Sequence, residues 1–161
     1  MLDNGASLDQ IAENNFELFI RYRNGFKHYK EIIDKKNTKI FRNVHVEYVH
    51  GKTGTGKTKY AVEKFDDYYK IEGSQLQWFD GYNGEKNLII DEYNNDVNIS
   101  KILNILDGYQ LRLPVKGCFT YANWTNVIIT SNLKPKELHE NAKEVHRNAL
   151  FRRINKISKF K

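Results

Sequence analysis

Cysteine and long apolar runs are scarce in this chain, and each scarcity excludes a class of protein. Cys118 is the one cysteine among 161 residues, which excludes an internal disulfide framework and favours a reducing compartment. No apolar run approaches the roughly 20 residues needed to span a bilayer, and residues 1–5 lack the basic and apolar regions of a signal peptide. We therefore expect an intracellular protein with no membrane partner.

Metal-ligand patterns are absent as well. The five histidines are scattered, and neither they nor the single cysteine show the spacing of a metal site. Any metal is therefore expected to arrive together with a bound ligand.

The size and the charge balance favour one basic domain. A chain of 161 residues with 40% hydrophobic content buries one sizeable core. The net charge of +6, together with 10 tyrosines and 9 phenylalanines, favours a polyanionic partner whose bases stack on aromatic rings. Two plainer explanations remain open: a solvated lysine-rich surface, and an AT-rich coding sequence.

The segment 51–58 reads GKTGTGKT and matches the phosphate-loop pattern G-x-x-x-x-G-K-[ST]. It lies between a strand-like run and a helix-like run, as such a loop requires. Lys57 is expected to bind the β and γ phosphates and Thr58 to hold Mg²⁺, so we predict ATP and Mg²⁺ as ligands. The rest of the predicted phosphate cradle is Thr53, Gly54, Thr55 and Gly56. A glycine-rich turn that matches by accident is the alternative.

Two further apolar runs end in polar residues suited to the same chemistry. The run at 88–90 is followed by Asp91, expected to bind the Mg²⁺ shell, and Glu92, expected to polarise the attacking water. The run at 127–129 leads to Asn132, whose neutral amide suits a γ-phosphate sensor. The alternatives are an exposed acidic pair that ends a hairpin strand, and an ordinary turn or helix cap after the second run.

The hydrophobic pattern after residue 40 alternates between strands and helices. Strands are predicted at 43–50, 76–79, 87–92 and 126–131, helices at 57–66, 99–106, 135–142 and 144–151, and two strand-like pieces flank 115–118. This alternation predicts an α/β fold with a parallel sheet covered on both faces.

Residues 7–33 show helical spacing of apolar and aromatic side chains after a capping-box pattern at Ser7 and Gln10. We expect a helical hairpin or a bent helix that breaks at Asn24 and Gly25, followed by a polar linker at 34–38. The aromatic stripe is interpreted as core, with docking onto a neighbouring subunit as the alternative.

The order of these motifs resembles the superfamily 3 helicases. The resemblance is narrower to the helicase part of replication initiator (Rep) proteins from small circular single-stranded DNA viruses and related plasmids, and it covers nearly the whole chain. It is carried by these segments: GTGKT at 54–58, WFDGY at 78–82, IIDE at 89–92, LRLPVKG at 111–117 and ITSN at 129–132. It implies a P-loop AAA+-like three-layer fold with a central parallel sheet at 41–161, preceded by a small N-terminal helical oligomerisation unit at 1–40.

The resemblance also implies an assembly and a partner. The subunits would form a ring, expected to be a hexamer, with Arg152 or Arg153 as a finger that reaches a neighbour's nucleotide. Lys116 and Gly117 would form a hairpin tip that binds single-stranded DNA, with 3′ to 5′ polarity. The plainer alternatives are a solvated helix end for the arginine pair and edge-strand protection for Lys116.

Rep proteins normally begin with a nicking endonuclease, whose His-hydrophobic-His motif and tyrosine nucleophile are absent here. We therefore expect a shortened form or a natural helicase-only product, located in a host nucleus if viral or in bacterial cytoplasm if borne on a plasmid. Two other functions remain open. A P-loop small-molecule kinase would need a lid with arginines, which the segment 66–86 lacks, and an ATP-gated DNA-binding scaffold would not need Glu92.

Overall fold

The computed structural model describes residues 6–161; residues 1–5, on which the signal-peptide expectation depends, lie outside the described residues. The helices are α1 (Leu8–Asn14), α2 (Phe16–Asn37), α3 (Lys57–Glu63), α4 (Ile99–Leu106) and α5 (Glu144–Arg153). The strands are β1 (His45–Gly51), β2 (Tyr69–Glu72), β3 (Asn87–Asp91), β4 (Arg112–Val115), β5 (Cys118–Tyr121), β6 (Asn126–Ser131) and β7 (Lys156–Phe160). No helix among residues 6–161 is both long enough and apolar enough to cross a membrane.

The branched apolar runs form the middle of a five-stranded sheet. Its order is β2-β3-β6-β1-β7, and every pairing between neighbours is parallel. Strands β3, β6 and β1 are buried over nearly their whole length because the sheet is covered on both faces. The α/β class and the central parallel sheet predicted from the sequence are confirmed.

Alternate residues of the central strands supply the two halves of the core. Ile90 and Ile129 pack on one face in a cluster with residues of α4 and α5, and Ile89 and Ile128 pack on the other face with Ala61 of α3. Because side chains along a strand point to opposite faces, each strand serves both clusters. The result is three layers, with the polar strand ends left free at the edges of the sheet.

The edge strand β7 is fixed by a buried carboxylate. The Glu47 side chain, 1% exposed, is ion-paired with Lys64 and with Lys156 of β7, and its Oε1 accepts a hydrogen bond from Ser158 Oγ at 2.7 Å. Burial by itself raises the pKa of Glu47, but these hydrogen bonds and one from Tyr60 outweigh it and lower the pKa to about 2. Glu47 is therefore charged and ties β7 to β1.

Two predicted elements are wrong. Residues 76–79 form a turn after a short 3₁₀ helix at Gly73–Gln75, and the strand that pairs with β3 is β2 instead. The predicted helix at 135–142 is one 3₁₀ turn, Pro135–Glu137, because Leu138 is extended and His139 has a positive φ of 46°. Both segments are short, so their apolar residues gave no decisive period.

The N-terminal helices also differ from the expectation. One break lies at Asn15, between α1 and α2. The bend expected at Asn24 and Gly25 is a kink at Tyr22, two residues earlier, and α2 continues through Asn24 and Gly25. Residues 34–37 are the end of α2 and not a linker, since Thr38 caps the helix on the Asp34 carbonyl.

The interpretation of the aromatic stripe as core is wrong for Phe16, Tyr22 and Tyr29, which are exposed, while the rest of the stripe is at least half-buried. Ile11 is the one buried residue of α1, and α2 has none. Large apolar side chains of α2 are exposed instead, namely Phe16, Leu18, Ile20, Tyr22, Tyr29 and Ile32. The helix is attached to the rest of the chain through polar contacts, with Glu31 bound to Arg112 and Asp34 to Thr120.

Candidate active site

The phosphate loop connects β1 to α3, and its backbone depends on glycine. Gly54 and Gly56 have φ of 81° and 86°, which L side chains rarely adopt, although a Cβ at either position would meet no atom within 4 Å. Gly51 is needed for a different reason, because a Cβ there would lie 2.4 Å from the Phe160 carbonyl oxygen of β7. The loop therefore turns tightly and leaves open space beside its N–H groups.

Lys57 joins the phosphate loop to the end of β6. Its Nζ donates to the carbonyl oxygens of Gly51 at 2.9 Å and Lys52 at 2.8 Å, and to Asn132 Oδ1 at 2.9 Å. Only 8% of the residue is exposed. The predicted phosphate-binding lysine and the predicted sensor amide are thus in direct contact, at the carboxyl edge of the sheet where α/β proteins bind ligands.

Asp91 is buried at the end of β3 and accepts three hydrogen bonds. Its Oδ1 accepts from Thr58 Oγ1 at 2.8 Å and Thr130 Oγ1 at 2.6 Å, and its Oδ2 accepts from Lys70 Nζ at 2.8 Å. Burial raises the pKa of Asp91, but the hydrogen bonds from Lys70, Thr130 and Thr58 outweigh it, so the pKa is lowered. The carboxylate is therefore ionised.

Glu92 is exposed beside this buried group and has a left-handed backbone. Its φ is 52°, which is uncommon for a residue other than glycine, and its N–H donates to Thr130 Oγ1 at 2.9 Å. Tyr93 continues the connection to β6, since its carbonyl accepts from Ser131 Oγ at 2.6 Å. The chain turns at Glu92, which leaves one acid buried and the next one exposed at the edge of the sheet.

The structure brings most of the predicted nucleotide residues together. Direct hydrogen bonds join Lys57 to Asn132 and Thr58 to Asp91, and Glu92 follows Asp91 in the chain. In the loop itself, Thr53 is exposed and Thr55 donates to the Lys52 carbonyl at 2.8 Å. The donor set near Thr58 and Asp91 consists of oxygen atoms, which fits a hard cation such as Mg²⁺, and the open glycine loop fits a triphosphate.

The arginine pair lies away from this edge. Arg152 and Arg153 end α5 directly before β7, beside the amino end of β1, whereas the phosphate loop follows the carboxyl end of the same strand. A strand of this length separates the two edges by roughly 20 Å. Arg153 is ion-paired with Asp107, and Arg152 is exposed and makes no hydrogen bond or ion pair with residues 6–161. Neither arginine reaches the phosphate loop of its own chain.

The predicted DNA hairpin is a separate two-stranded sheet of β4 and β5. Lys116 is exposed at its tip, and Gly117 has the positive φ of 81° that the turn requires. The Lys116 N–H donates to Asp80 Oδ1 at 2.8 Å, which fixes the tip against the loop after β2. Of the aromatic residues that follow, Trp124 is fully buried, whereas Phe119 is 39% exposed under the Arg112 guanidinium.

Three features of the site and its surroundings were missed from the sequence. Lys70, on β2, binds Asp91, and no motif marks it. Thr130 directly follows the apolar run at 127–129 and binds Asp91, and its place at the end of that run is a signal that was available. The structure also places ligand atoms of His28, Glu31 and Cys118 within 4.8 Å of one another, a grouping that sequence spacing did not show. Glu31 in that group is already paired with Arg112.

Comparison with known proteins agrees with this geometry. A family model described as RNA helicase matches residues 47–133, the range that holds the phosphate loop, the acidic pair and Asn132. The chain belongs to this helicase family. The family match and the geometry of the site identify the chain as a helicase-type ATPase domain.

This RNA helicase domain is similar to curated replication-associated proteins of viruses. The replication-associated protein of Pigeon circovirus is 29% identical over 94% of this chain and 46% of the relative. That of Canary circovirus is 31% identical over 94% of this chain and 51% of the relative. The chain thus spans about half the length of the curated relatives it matches. Among solved structures, the S. cerevisiae Hsp104–ADP complex matches with a TM-score of 0.44 and 21% identity, over 74% of this chain and 24% of that one.

Proposed function

We propose that this chain is the ATP-dependent DNA helicase or translocase domain of a rolling-circle replication initiator. The observation that carries the proposal is the contact of four predicted nucleotide residues at one sheet edge, Lys57 with Asn132 and Thr58 with Asp91. The replication-associated proteins to which the chain is similar support the initiator context. For a viral protein of this kind, the host nucleus is the proposed location.

The residues of the site divide the hydrolysis between them. Lys57 binds the terminal phosphates, and Thr58 and Asp91 hold Mg²⁺, which neutralises charge on the phosphate oxygens when bound. Glu92, exposed beside Asp91, polarises the attacking water, and Asn132 orients that water or the γ-phosphate through its amide. The two carboxylates have different tasks because Asp91 is buried and hydrogen-bonded, whereas Glu92 is exposed.

Hydrolysis in this proposal requires a second subunit. Arg152 lies at the sheet edge opposite its own phosphate loop and has no partner within residues 6–161, so it is available to a neighbour's γ-phosphate. Arg153 is held by Asp107 and positions the end of α5. We propose that subunits form a ring, a hexamer by family resemblance, with the nucleotide at each boundary.

The N-terminal segment 1–40 is proposed to join the subunits of the ring, and residues 41–161 to form the ATPase domain. Support comes from the exposed apolar side chains of α2, since Phe16 is 66% and Ile20 is 60% exposed. Lys116 at the hairpin tip is proposed to bind phosphates of single-stranded DNA, with movement 3′ to 5′ along that strand.

The test measures ATP turnover, DNA stimulation and molar mass on the same sample. We expect hydrolysis that single-stranded DNA stimulates, mass that increases with nucleotide, and unwinding of a duplex that carries a 3′ tail but not one with a 5′ tail. Stimulation by nucleosides instead of DNA would indicate a small-molecule kinase. Ring assembly without turnover, even with DNA present, would indicate an ATP-gated scaffold.

A further inference from the structure

The metal-binding carboxylate is already bound to a lysine from the neighbouring strand. Lys70 Nζ lies 2.8 Å from Asp91 Oδ2 and 2.8 Å from Glu72 Oε1. The pairing is built by the sheet, because β2 and β3 are in parallel register with Glu72 opposite Asp91. Thr58 and Thr130 occupy the other carboxylate oxygen, so the Lys70 ammonium takes the oxygen that remains.

The Lys70 ammonium is held between two carboxylates. It forms ion pairs with Asp91 and with Glu72, both at 2.8 Å. A full positive charge therefore lies beside the position where a divalent cation would contact Asp91. Two like charges this close repel strongly, and the ammonium also satisfies the carboxylate that would attract the cation.

We propose that Lys70 acts as a placeholder that keeps free Mg²⁺ from binding Asp91 and admits the cation only with a nucleotide. The proposal rests on the proposed function in that it takes Asp91 as the Mg²⁺ carboxylate. A triphosphate brings several negative charges to the phosphate loop, so it offsets the repulsion from Lys70. A cation without a nucleotide brings no negative charge to offset this repulsion, so Lys70 stays ion-paired with Asp91.

Lys70 has two tasks in this proposal. Lys70 holds the Asp91 carboxylate in the orientation that Thr58 and Thr130 also select, so Asp91 is a preformed ligand. It also links metal binding to ATP binding. Without Lys70, the carboxylates of Asp91, Glu72 and Glu92 would bind free divalent cations. Lys70 is a positioning residue, because it acts on the cation through Asp91.

The test is a titration of the full chain with Mn²⁺ in the absence of nucleotide, followed by the loss of the electron paramagnetic resonance signal of free Mn²⁺. Lys70→Met removes the charge and keeps the aliphatic stem. We expect it to bind Mn²⁺ about tenfold more tightly than the unchanged chain or more, whereas Lys70→Arg behaves like the unchanged chain. The gain should disappear in Lys70→Met combined with Asp91→Asn.

Lys64→Met is the matched control, since Lys64 also pairs with a buried carboxylate, Glu47, on a different part of the sheet. It should leave the Mn²⁺ affinity unchanged. If Lys70→Met does not fold, as judged by its thermal melt, Lys70→Gln is titrated against the same criteria. Equal Mn²⁺ affinity of the neutral variant and the unchanged chain would overturn the proposal, and so would a gain that survives Asp91→Asn.

A second measurement follows binding of a fluorescent ATP analogue as Mg²⁺ is added. The neutral Lys70 variant should reach half-maximal binding at a lower Mg²⁺ concentration than the unchanged chain. An unshifted Mg²⁺ midpoint counts against the placeholder. Because the Mn²⁺ titration uses no nucleotide and no turnover, it still tests Lys70 if the chain proves not to hydrolyse ATP.

Discussion

At the scale of single residues, Lys57 and Glu92 have different tasks in the proposed reaction. Lys57 is buried and bonded to the phosphate loop and to Asn132, which suits the proposed role in nucleotide binding. Glu92 is exposed, and its backbone N–H donates to Thr130 Oγ1. Binding and hydrolysis should therefore respond differently to the loss of each side chain.

Lys57→Ala is expected to lose ATP binding and turnover together. Glu92→Gln should bind ATP with nearly unchanged affinity and hydrolyse it roughly a hundredfold more slowly or worse. Fluorescence titration with an ATP analogue and a phosphate-release assay separate the two effects. If Glu92→Gln keeps full turnover, Glu92 is not the residue that polarises water.

Glu47 makes the stability of the fold depend on pH. Its pKa of about 2 in the folded chain lies below its ordinary value of 4.5. The stabilisation is therefore complete above pH 4.5 and is lost as the pH falls toward 2. Glu47→Gln should lower the free energy of unfolding at pH 7 by about 1–3 kcal/mol and reduce the decline below pH 4.5.

Urea unfolding at pH 7 and at pH 3.5 measures both effects of Glu47→Gln. Glu63→Gln is the control, because Glu63 forms an exposed ion pair with Lys59 at 3.7 Å and such pairs contribute little. Equal stability losses in the two variants at pH 7 would show that the buried network does not hold β7.

At the scale of elements, the β4–β5 hairpin has one exposed cation at its tip. Lys116→Ala should weaken binding of single-stranded DNA and reduce the slope of log affinity against log salt by about one contact. Fluorescence anisotropy over a salt series measures both quantities. Lys36→Ala removes an exposed lysine elsewhere on the surface, and its salt slope should stay unchanged. If Lys116→Ala leaves the slope of log affinity against log salt unchanged, Lys116 does not bind DNA phosphates.

Prediction from the sequence succeeded where an element has a strong local signal. Strands β3 and β6 contain continuous branched apolar runs that end in polar residues, and β1 leads directly into the phosphate-loop motif, so the existence of these strands and their shared edge were predictable. Strand β7 was missed because it is a polar edge strand, and its attachment depends on Glu47, more than 100 residues away. A buried carboxylate far along the chain leaves no periodic pattern near β7.

The same limit applied within the site. Lys57, Thr58, Asp91 and Asn132 stand in fixed motifs, so their meeting was predictable from the parallel sheet. Sequence reasoning misses Lys70 because its contact with Asp91 arises from the register between β2 and β3, whereas the sequence pattern predicts the strand beside β3 at 76–79. The exposure of the apolar side chains of α2 was also not predictable. An apolar helix face shows the same spacing whether it packs against its own chain or against a partner.

At the scale of the whole molecule, each proposed active site takes residues from two chains. Lys57→Ala chains lack the lysine of the phosphate loop but retain Arg152. Arg152→Ala chains retain Lys57 but lack the arginine. Each variant alone should be nearly inactive. An equal mixture should recover activity, because about a quarter of the subunit boundaries then combine an intact Lys57 with an intact Arg152.

The recovered activity is measured as phosphate release after the two variants are mixed and allowed to exchange subunits. Lys57→Ala mixed with Glu92→Gln is the control, since both changes affect the same side of a boundary and no mixture restores it. A mixture of Lys57→Ala and Arg152→Ala that stays as inactive as its components would mean that Arg152 does not act on a neighbour's nucleotide.

The placement of Arg152 at one end of the sheet and the phosphate loop at the other has a geometric consequence. A two-fold pair of chains would have to make both arginine-to-nucleotide contacts within one self-complementary interface, although Arg152 and the phosphate loop lie at opposite edges of each chain. A succession of chains in one rotational sense needs one such contact at each junction, and it either closes into a circle or continues as a spiral. A slight change in the angle between adjacent chains would thus be enough to convert a flat ring into a helical arrangement of subunits.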